Sequence, residues 1–196
     1  KIMSSYEPES AYIGISGSHI RSYYSKGIAQ IKRGMVDCET VQEATASSKA
    51  IPLQENQQLL HTITTKYIID KSITVKNPIG MHGVRLEVES HIITSNTTSI
   101  KDLIHCCSLA GVKAQDIILE PIASAESILN ENEKSLGVLL VDIGGGTSDV
   151  AFYHNGSLLY TEIIPVAGNV FTNDLAICLQ TSHEEAEELK KTYGIL

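Results

Sequence analysis

Residues 138–153 read VLLVDIGGGTSDVAFY. An apolar run ends at Asp142, three glycines and a threonine follow, and Asp149 leads into a second apolar run. Short runs rich in Val, Leu and Phe are typical of buried strands, and glycines between two such runs are typical of a tight turn. The pattern therefore predicts a hairpin of two buried strands, with Asp142 and Asp149 facing each other across its mouth.

The turn of this hairpin has the chemistry of a phosphate site. Glycines allow positive φ and let a ligand approach the backbone amides closely, and successive N–H groups that point into one concavity bind anions. The two carboxylates would repel a phosphate unless a hard cation lay between them, and Mg²⁺ suits that place because it takes oxygen ligands and keeps several waters. A hairpin whose glycines serve only the turn is the simpler alternative. The complete D-x-G-G-G-T-x-D pattern between two apolar strands favours a phosphate-binding site over a turn without a ligand.

The composition is that of a folded globular chain. It has 196 residues, of which 42% are hydrophobic and 19% charged, enough to bury a core in one or two domains. The net charge of −8 and the lack of a basic cluster argue against a nucleic-acid partner. No stretch of 18 apolar residues is present to span a bilayer. The first residue is a lysine, so we expect a piece of a longer protein.

The cysteines and histidines do not suggest a metal or redox site. The histidines at 61, 82 and 91 are far apart and lack a nearby carboxylate, which favours structural roles over metal binding. The cysteines form no CxxC pair, and adjacent ones cannot easily bridge each other, so we expect reduced, buried thiols. These residues are Cys38, Cys106, Cys107 and Cys178.

The first part of the chain predicts a small sheet that carries one main helix. Residues 11–16 and 20–24 predict a β-hairpin, and a capping box from Thr40 to Glu43 predicts a helix that starts near residue 41. The runs around residues 59–70 predict one bent strand. From Val84 to Glu89 apolar and charged residues alternate, which predicts a strand with one face in the core and one in water.

The remainder predicts helices and strands in alternation, followed by a three-stranded meander. A helix is expected from about residue 100 to Gly111, then a strand that ends at Glu120 and a helix with Pro121 at its first position. Glu120 is a poor helix cap, and its closeness in sequence to the glycine hairpin favours a functional role. After the meander, helices are expected at residues 172–179 and from a Ser182 capping box, with a solvated charged face. The whole is a mixed α/β or α+β fold in at least two packed parts.

Landmarks spread from end to end give a more specific resemblance. By itself, the glycine motif resembles the second phosphate motif of the actin, Hsp70 and sugar-kinase superfamily. Together with the other landmarks, it makes the chain similar to the FtsA family, the bacterial actin-like proteins of cell division. The landmarks are IGISGSHI at 13–20, NPIGMHGVRL at 77–86, LEPIASA at 119–125, VDIGGGTSD at 141–149, IPVAGN at 164–169, TNDLA at 172–176, EAE at 185–187 and YG at 193–194.

The resemblance implies a fragment of the actin-like ATPase fold in three parts. Residues 1–94 would be the FtsA-type 1C subdomain, which is SHS2-like. Residues 95–134 would be the second part of subdomain 1A. Residues 135–196 would be subdomain 2A, with the phosphate-binding hairpin and the start of the following helical part.

The resemblance also implies a site for ATP and Mg²⁺. Glu120 would help to place the water that attacks ATP, so it is the catalytic candidate. Asp142 and Asp149 would hold the metal through its water shell. The residues that would bind the nucleotide are Asp142, Gly144, Gly145, Gly146, Thr147, Asp149, Gly168 and Asn169, the last two in a loop near the nucleotide.

For the whole protein, the resemblance implies an adaptor that polymerises into filaments and tethers FtsZ filaments to the inner membrane at the septum. Other division proteins would bind the 1C subdomain, and a C-terminal amphipathic helix would hold the protein on the cytoplasmic face of the membrane. Any ATPase activity would be weak or regulatory. The first phosphate loop, the adenosine-binding glycines, the FtsZ-binding subdomain and the membrane helix are expected outside this sequence. We therefore expect these 196 residues to bind ATP weakly or not at all.

Two other functions fit parts of the pattern. A sugar or acetate kinase of the same superfamily would need a general base aimed at a hydroxyl and a substrate pocket between domains, and no such base is recognisable. The pilus assembly protein family PilM shares the layout, although residues 77–86 favour FtsA. The presence or absence of a C-terminal amphipathic helix in the parent gene would decide between PilM and FtsA.

Overall fold

The computed structural model describes residues 8–194 and has a mixed α/β architecture, as predicted. Within that range the strands form sheets of two, four and three strands. None of the helices in that range is long and apolar enough to cross a membrane. In chain order the elements are β1 Ser10–Ile15, β2 Arg21–Gln30, α1 Cys38–Lys49, β3 Gln57–Ile69, β4 Ile73–Val75, β5 Arg85–Asn96, α2 Thr97–Leu109, β6 Lys113–Leu119, α3 Glu120–Ile128, α4 Glu131–Leu136, β7 Val138–Ile143, β8 Ser148–His154, β9 Ser157–Ile164, α5 Gly168–Leu179 and α6 His183–Tyr193.

The four-stranded sheet is antiparallel, in the order β2-β5-β3-β4. Helix α1 packs so closely on β2 that a Cβ added to Gly27 would lie 1.9 Å from the Ala44 carbonyl oxygen. A glycine is therefore required at this position of the strand. The predicted bent strand is confirmed in β3, which has register shifts between Leu59 and His61 and between Thr64 and Lys66.

The charged face predicted for β5 is not in water. Glu87 is buried, and its Oε1 lies 2.9 Å from Arg85 Nη2, an ion pair without the alignment of a hydrogen bond. Glu89 is half-buried and pairs with Lys26 at 2.7 Å and Lys66 at 3.0 Å, one on each neighbouring strand. The prediction was wrong because an alternating pattern does not tell whether a strand is central, and β5 lies between two strands with both of its faces covered.

The hairpin predicted for residues 11–16 and 20–24 is also wrong. Strand β1 pairs in parallel with β6, with Ile13 opposite Ile117 and Ile15 opposite Leu119, while β2 pairs with β5. Gly17, at φ 136°, turns the chain from one sheet into the other. A parallel pair needs a long crossover connection, here the whole four-stranded sheet and α2, so local sequence does not reveal it.

The three-stranded meander β7-β8-β9 is confirmed. Its inner face joins the main core, where Leu140 and Leu158 pack with Ile15 and Leu119 of the two-stranded sheet and with Ile93 of the four-stranded sheet. This shared core places the mouth of the glycine hairpin beside the ends of β1 and β6.

Helices begin earlier than the sequence predicts. Asp37 caps α1 by accepting the Thr40 N–H at 2.8 Å, so the helix starts at Cys38 and the Thr40 capping box does not form. Asn96 caps α2, and Ser182 caps α6 as predicted. A residue caps a helix only if its own φ and ψ are non-helical, and several neighbouring polar residues are able to act as the N-cap.

Helix α4 is missed by the sequence patterns because it is only six residues long. Asn130 and Glu133 form its capping box. The Lys134 and Ser135 carbonyls accept the N–H groups of Gly156 and Asn155, at 2.9 and 3.1 Å. The helix therefore holds the turn between β8 and β9.

The thiols are free, as predicted, but most of them are not buried. Cys38, Cys106 and Cys178 are exposed and Cys107 is half-buried. The histidines have protein partners. His91 Nε2 lies 3.0 Å from Thr161 Oγ1, and His61 Nε2 accepts the Leu119 N–H at 3.0 Å. His82 Nδ1 lies 3.0 Å from the Gly34 carbonyl oxygen.

Candidate functional site

The glycine bend, defined here as residues 144–147, joins β7 to β8 at an exposed edge of the meander. Asp142 lies directly opposite Asp149 in the strand register, as predicted. The Gly144 N–H donates to the Thr147 carbonyl at 2.9 Å and closes the bend. Its three glycines are exposed to solvent. A ligand can therefore reach the bend from outside.

Helix α5 holds the bend from behind. The Gly168 N–H donates to the Gly144 carbonyl at 3.0 Å, and the Asn169 N–H donates to the Gly145 carbonyl at 2.8 Å. In a trans peptide the C=O and the next N–H point in opposite directions. The amides of Gly145 and Gly146 therefore point away from α5. Neither amide donates to a protein acceptor in the hydrogen bonds of residues 8–194.

The sequence places Gly168 and Asn169 in a loop near the nucleotide, and the structure places them in the first turn of α5. The helix starts four residues earlier than predicted because the bend, not a side chain, caps it: Ala167 makes no side-chain cap. The two residues do lie at the bend. The Asn169 Oδ1 is 3.4 Å from the position a Cβ on Gly145 would take.

The three glycines of the bend serve close approach rather than unusual backbone angles. None of them has φ in the left-handed region, contrary to what the sequence suggests. A Cβ added to Gly146 would meet nothing within 4 Å, while those on Gly144 and Gly145 would meet their nearest atoms at 3.3 and 3.4 Å. The space over the bend is left free, which is what a bulky anion would need to reach the amides.

Asp149 is a buried carboxylate that is only half satisfied. Its side chain is 4% exposed; Oδ2 accepts a hydrogen bond from Ser16 Oγ at 2.6 Å, and Oδ1 has no partner in the described part of the chain. Burial raises the pKa of Asp149, the Ser16 hydrogen bond opposes this shift, and the charge of Asp142 adds to it. A buried acceptor without a donor lowers the stability of the fold. A bound water, or a water in the shell of a cation, would supply the missing hydrogen bond to this oxygen.

Glu120 and Asp142 complete a group of three acids. Asp142 is exposed and accepts a hydrogen bond from Ser124 Oγ at 2.9 Å. Glu120 is the first residue of α3, and its Cγ lies 3.0 Å from the position a Cβ on Gly14 would take. Partial burial raises the pKa of Glu120, and the charges of Asp149 and Asp142 raise it further. The fold thus brings together the acids that the sequence singled out separately.

The acids fit a hydrated divalent cation better than a directly bound one. Across residues 8–194 no three His, Cys, Asp or Glu side chains come close enough to hold a metal ion together. Asp149, with its unpartnered Oδ1, and Asp142 lie directly opposite each other in the register, so their side chains are on the same side of the hairpin. Mg²⁺ retains most of its waters when only one or two carboxylates bind it, so this donor set matches it.

Two residues of the site are missed by the sequence patterns. Ser124 lies four residues after Glu120 on α3, a spacing that puts both on one helix face and that a closer reading would detect. Ser16 carries no such signal, because its partner Asp149 is 133 residues away in the chain.

The fold defines the class of protein first: it is the actin-like ATPase fold. A chain of the PilM-PilN type IV pilus biogenesis complex shares the architecture, with a TM-score of 0.63 and 16% identity over 91% of this chain and 49% of that one. At that identity the likeness concerns the fold alone.

Sequence comparison narrows the class to one family. Residues 17–94 match the family described as "SHS2 domain inserted in FTSA", and residues 139–196 match "Cell division protein FtsA". Together these ranges cover about two thirds of the chain. The chain belongs to the FtsA family, which confirms the prediction made from the landmarks.

Individual relatives are named "Cell division protein FtsA". That of Neisseria meningitidis serogroup B is 43% identical over 182 residues, which is 93% of this chain and 44% of the relative. That of Pseudomonas aeruginosa is 42% identical over 94% of this chain and 44% of the relative. That of Escherichia coli K12 is 36% identical over 99% of this chain and 46% of the relative. The chain thus spans a little under half the length of the curated relatives it matches.

Proposed function

We propose that the glycine bend binds the β- and γ-phosphates of ATP and that the acids beside it hold Mg²⁺ through its waters. The observation that carries this proposal is the pair of outward-pointing amides at Gly145 and Gly146, which have no acceptor within the described residues. Such amides form an anion-binding concavity. The partial positive charge at the start of α5, directly behind the bend, favours an anion at the same place.

In this proposal each acid has a distinct part. Bound Mg²⁺ would supply positive charge between the phosphates and the carboxylates. Asp149, fixed by Ser16, and Asp142, fixed by Ser124, would accept hydrogen bonds from the water shell of the cation. Their hydroxyl partners orient the carboxylates before the ligand arrives, which lowers the entropic cost of binding.

Glu120 would orient a water toward the γ-phosphate. It lies at the start of α3 beside Asp149 and Asp142, and its raised pKa keeps its carboxylate more basic than an ordinary glutamate. Hydrolysis, where it occurs, would be weak or regulatory. The nucleotide would then shift the balance between polymerising and non-polymerising conformations rather than drive rapid turnover.

The phosphate site is testable by NMR on the 196-residue chain. Titration with MgATP should shift the amide signals of Gly145 and Gly146 at millimolar ligand, because one wall of the cleft binds weakly. Asp149→Asn and Asp142→Asn should weaken the effect of Mg²⁺, while Asp102→Asn, at an exposed position of α2, should not. Shifts absent from the bend at saturating ligand would refute the site. Micromolar affinity in a calorimetric titration would refute weak binding.

For the whole protein we propose the role its family name indicates, in cell division. The protein would form filaments and connect FtsZ filaments to the cytoplasmic face of the inner membrane. Residues 1–94 would be the 1C subdomain that contacts other division proteins, residues 95–134 part of 1A, and residues 135–196 part of 2A. The identity of 36–43% to relatives named for cell division, along nearly all of this chain, supports this role.

A chimera tests the cellular role. The 194 matched residues of Escherichia coli FtsA would be replaced by those of this chain and expressed in cells depleted of their own FtsA. The chimera should accumulate at the septum, and its Asp149→Asn variant should do so less well at equal protein level. A stable chimera that stays diffuse, or that localises the same with and without Asp149, would contradict the proposal.

A further inference from the structure

A cavity of about 430 Å³ lies between the four-stranded sheet and the meander. The sheet forms one wall, where Thr65, Val75 and Glu89 line the cavity. The other wall is formed by Leu159 of β9 and by the turn between β8 and β9. Ligand pockets in proteins have volumes of roughly 300–1,000 Å³, so this space is large enough for a small organic molecule.

Hydrogen bonds between the two walls fix the shape of the cavity. Tyr24 Oη of β2 donates to the Leu159 carbonyl at 2.5 Å, and Ser157 Oγ of β9 donates to the Thr65 carbonyl at 3.4 Å. Both bonds join the sheet directly to the meander. The walls are therefore in place before a ligand arrives, which lowers the entropic cost of binding.

Most of the surface that lines the cavity is apolar. Val75 and Leu159 are half-buried, so part of each side chain stays open to the cavity, and Tyr24 adds the face of its ring. The fold leaves this surface in contact with water. A ligand with an apolar body would remove it from water, which is favourable in proportion to the area covered.

Lys76 places a positive charge at the mouth of the cavity. The residue directly follows β4 and is exposed. Its Nζ reaches across to the turn of the meander, where a Cβ added to Gly156 would lie 3.3 Å from it. Within residues 8–194 this ammonium takes part in no ion pair. A carboxylate that entered between the walls could therefore pair with it without displacing an acid of those residues.

The acid that lines the cavity does not cancel this charge. Glu89 is already paired with Lys26 at 2.7 Å and with Lys66 at 3.0 Å. Together with Lys76, three lysines surround one glutamate, on a chain whose net charge is −8. The cavity is thus a locally positive site on an acidic protein, and it favours an anion over a cation.

We propose that this cavity binds a small organic carboxylate with an apolar body. The apolar part would fill the space between Val75 and Leu159, and the carboxylate would pair with Lys76. Such a ligand would touch both layers and stabilise the contact between the sheet and the meander. The inference is independent of the phosphate function proposed for the glycine bend, which lies at the opposite end of β8.

The probe for this site is 4-phenylbutyrate, titrated into the 196-residue chain and followed by NMR. It should shift the amide signals of Val75 and Lys76 on one wall and of Asn155 and Gly156 on the other. A Kd of about 1 mM is expected for a ligand of so few atoms. The isostere 4-phenylbutylamine has the same apolar body and the opposite charge, so it should bind roughly tenfold more weakly or not at all.

Substitutions at the exposed Lys76 test the charge at the mouth. Lys76→Met should raise the Kd for 4-phenylbutyrate roughly tenfold. Lys76→Glu should lose 4-phenylbutyrate and bind 4-phenylbutylamine instead. Lys49→Met is the matched control and should leave the Kd unchanged. Lys49 is an exposed lysine of α1, and α1 packs on the sheet face to which Gly27 points, away from the cavity.

The outcomes decide both the ligand class and its place. No shift in the wild-type chain up to the solubility limit of the probe would overturn the proposal, and so would equal Kd values in Lys76→Met and Lys49→Met. Shifts on one wall alone would overturn a site between the layers. Displacement of 4-phenylbutyrate by inorganic tripolyphosphate would show that the lysine binds any anion, which overturns the ligand class. If the glycine bend binds no tripolyphosphate while 4-phenylbutyrate still shifts the cavity signals, the phosphate function fails and this proposal stands.

Discussion

The four-stranded sheet and the glycine hairpin treat their charged groups in opposite ways. In the sheet, Glu89 lies between Lys26 and Lys66, and buried Glu87 is paired with Arg85. In the hairpin, the buried Asp149 keeps one oxygen without a partner, and its neighbours in space are two further acids. A buried charge that is paired costs the fold less than an unpaired one, and an unpaired charge persists where a ligand completes it.

The glycines of the two regions show the same contrast. Gly27 is required by the close approach of α1, whereas a Cβ added to Gly146 would meet nothing within 4 Å. The first region uses glycine to pack more tightly, and the second uses it to stay open. The sheet is thus built for stability and the hairpin for an incoming group, a division that stability measurements can test residue by residue.

The largest effect is expected for Gly27→Ala. The new methyl group would overlap the Ala44 carbonyl, so α1 must move off the sheet, at a loss of about 3 kcal/mol in the free energy of unfolding. Gly146→Ala should change that free energy by less than about 0.5 kcal/mol, because its methyl group meets no atom. Urea denaturation measures both. Equal losses would erase the contrast between the two regions.

A smaller effect is expected from pH at the contact between the regions. His91 of β5 is fully buried against Thr161 of β9, and burial lowers its pKa to about 4 from 6.5. Below pH 6.5 the unfolded chain takes up a proton that the folded chain refuses until about pH 4, so stability falls as pH falls. Between pH 7.5 and 5 the loss from this group is about 2 kcal/mol.

Urea denaturation of His91→Gln at pH 7.5 and 5 checks this effect. The variant should lose less stability on acidification than the wild type. His105→Gln, which changes an exposed histidine of α2, should behave as the wild type. A wild-type profile that is flat over this range would show that His91 is not excluded from water in solution.

The smallest effect is expected for Asp149→Asn, and it is a gain. The pKa of Asp149 is raised in the folded chain, so its ionised form weakens the fold at neutral pH, and this penalty disappears at pH values below the ordinary aspartate pKa. Removing the charge should add about 1 kcal/mol of stability at pH 7. Asp102→Asn, at an exposed position of α2, serves as the control in thermal denaturation at pH 7 and pH 3. A loss of stability in Asp149→Asn would place this acid with the paired charges of the sheet.

Much of the site was predictable because it is local in sequence. The hairpin, its glycines and the facing pair Asp142 and Asp149 lie within 16 consecutive residues, where strand and turn patterns are informative. Glu120 was predicted from its closeness in sequence to the glycine hairpin and from the family resemblance. The φ angles of the glycines could not be predicted. A glycine can be needed either for positive φ or for the space that a side chain would fill, and the sequence does not tell which of the two applies.

What could not be predicted depends on contacts between distant parts of the chain. The pairing of β1 with β6 joins segments about a hundred residues apart, and the pattern of β1 fits a hairpin equally well. Ser16 is an ordinary polar residue by sequence, and only the fold brings it to Asp149. Burial of Glu87 likewise follows from the central place of β5, which strand periodicity does not encode.

The strand register of the four-stranded sheet bears on how this molecule could be rebuilt. Arg21, where the chain enters that sheet, is paired with Thr94, where the chain leaves it. A block whose two ends meet can be excised, or exchanged for a block from another member of the family, without stretching the segments that flank it. The sheet can thus be exchanged as one cassette, provided that the new block again supplies the apolar side chain of Ile93 to the shared core.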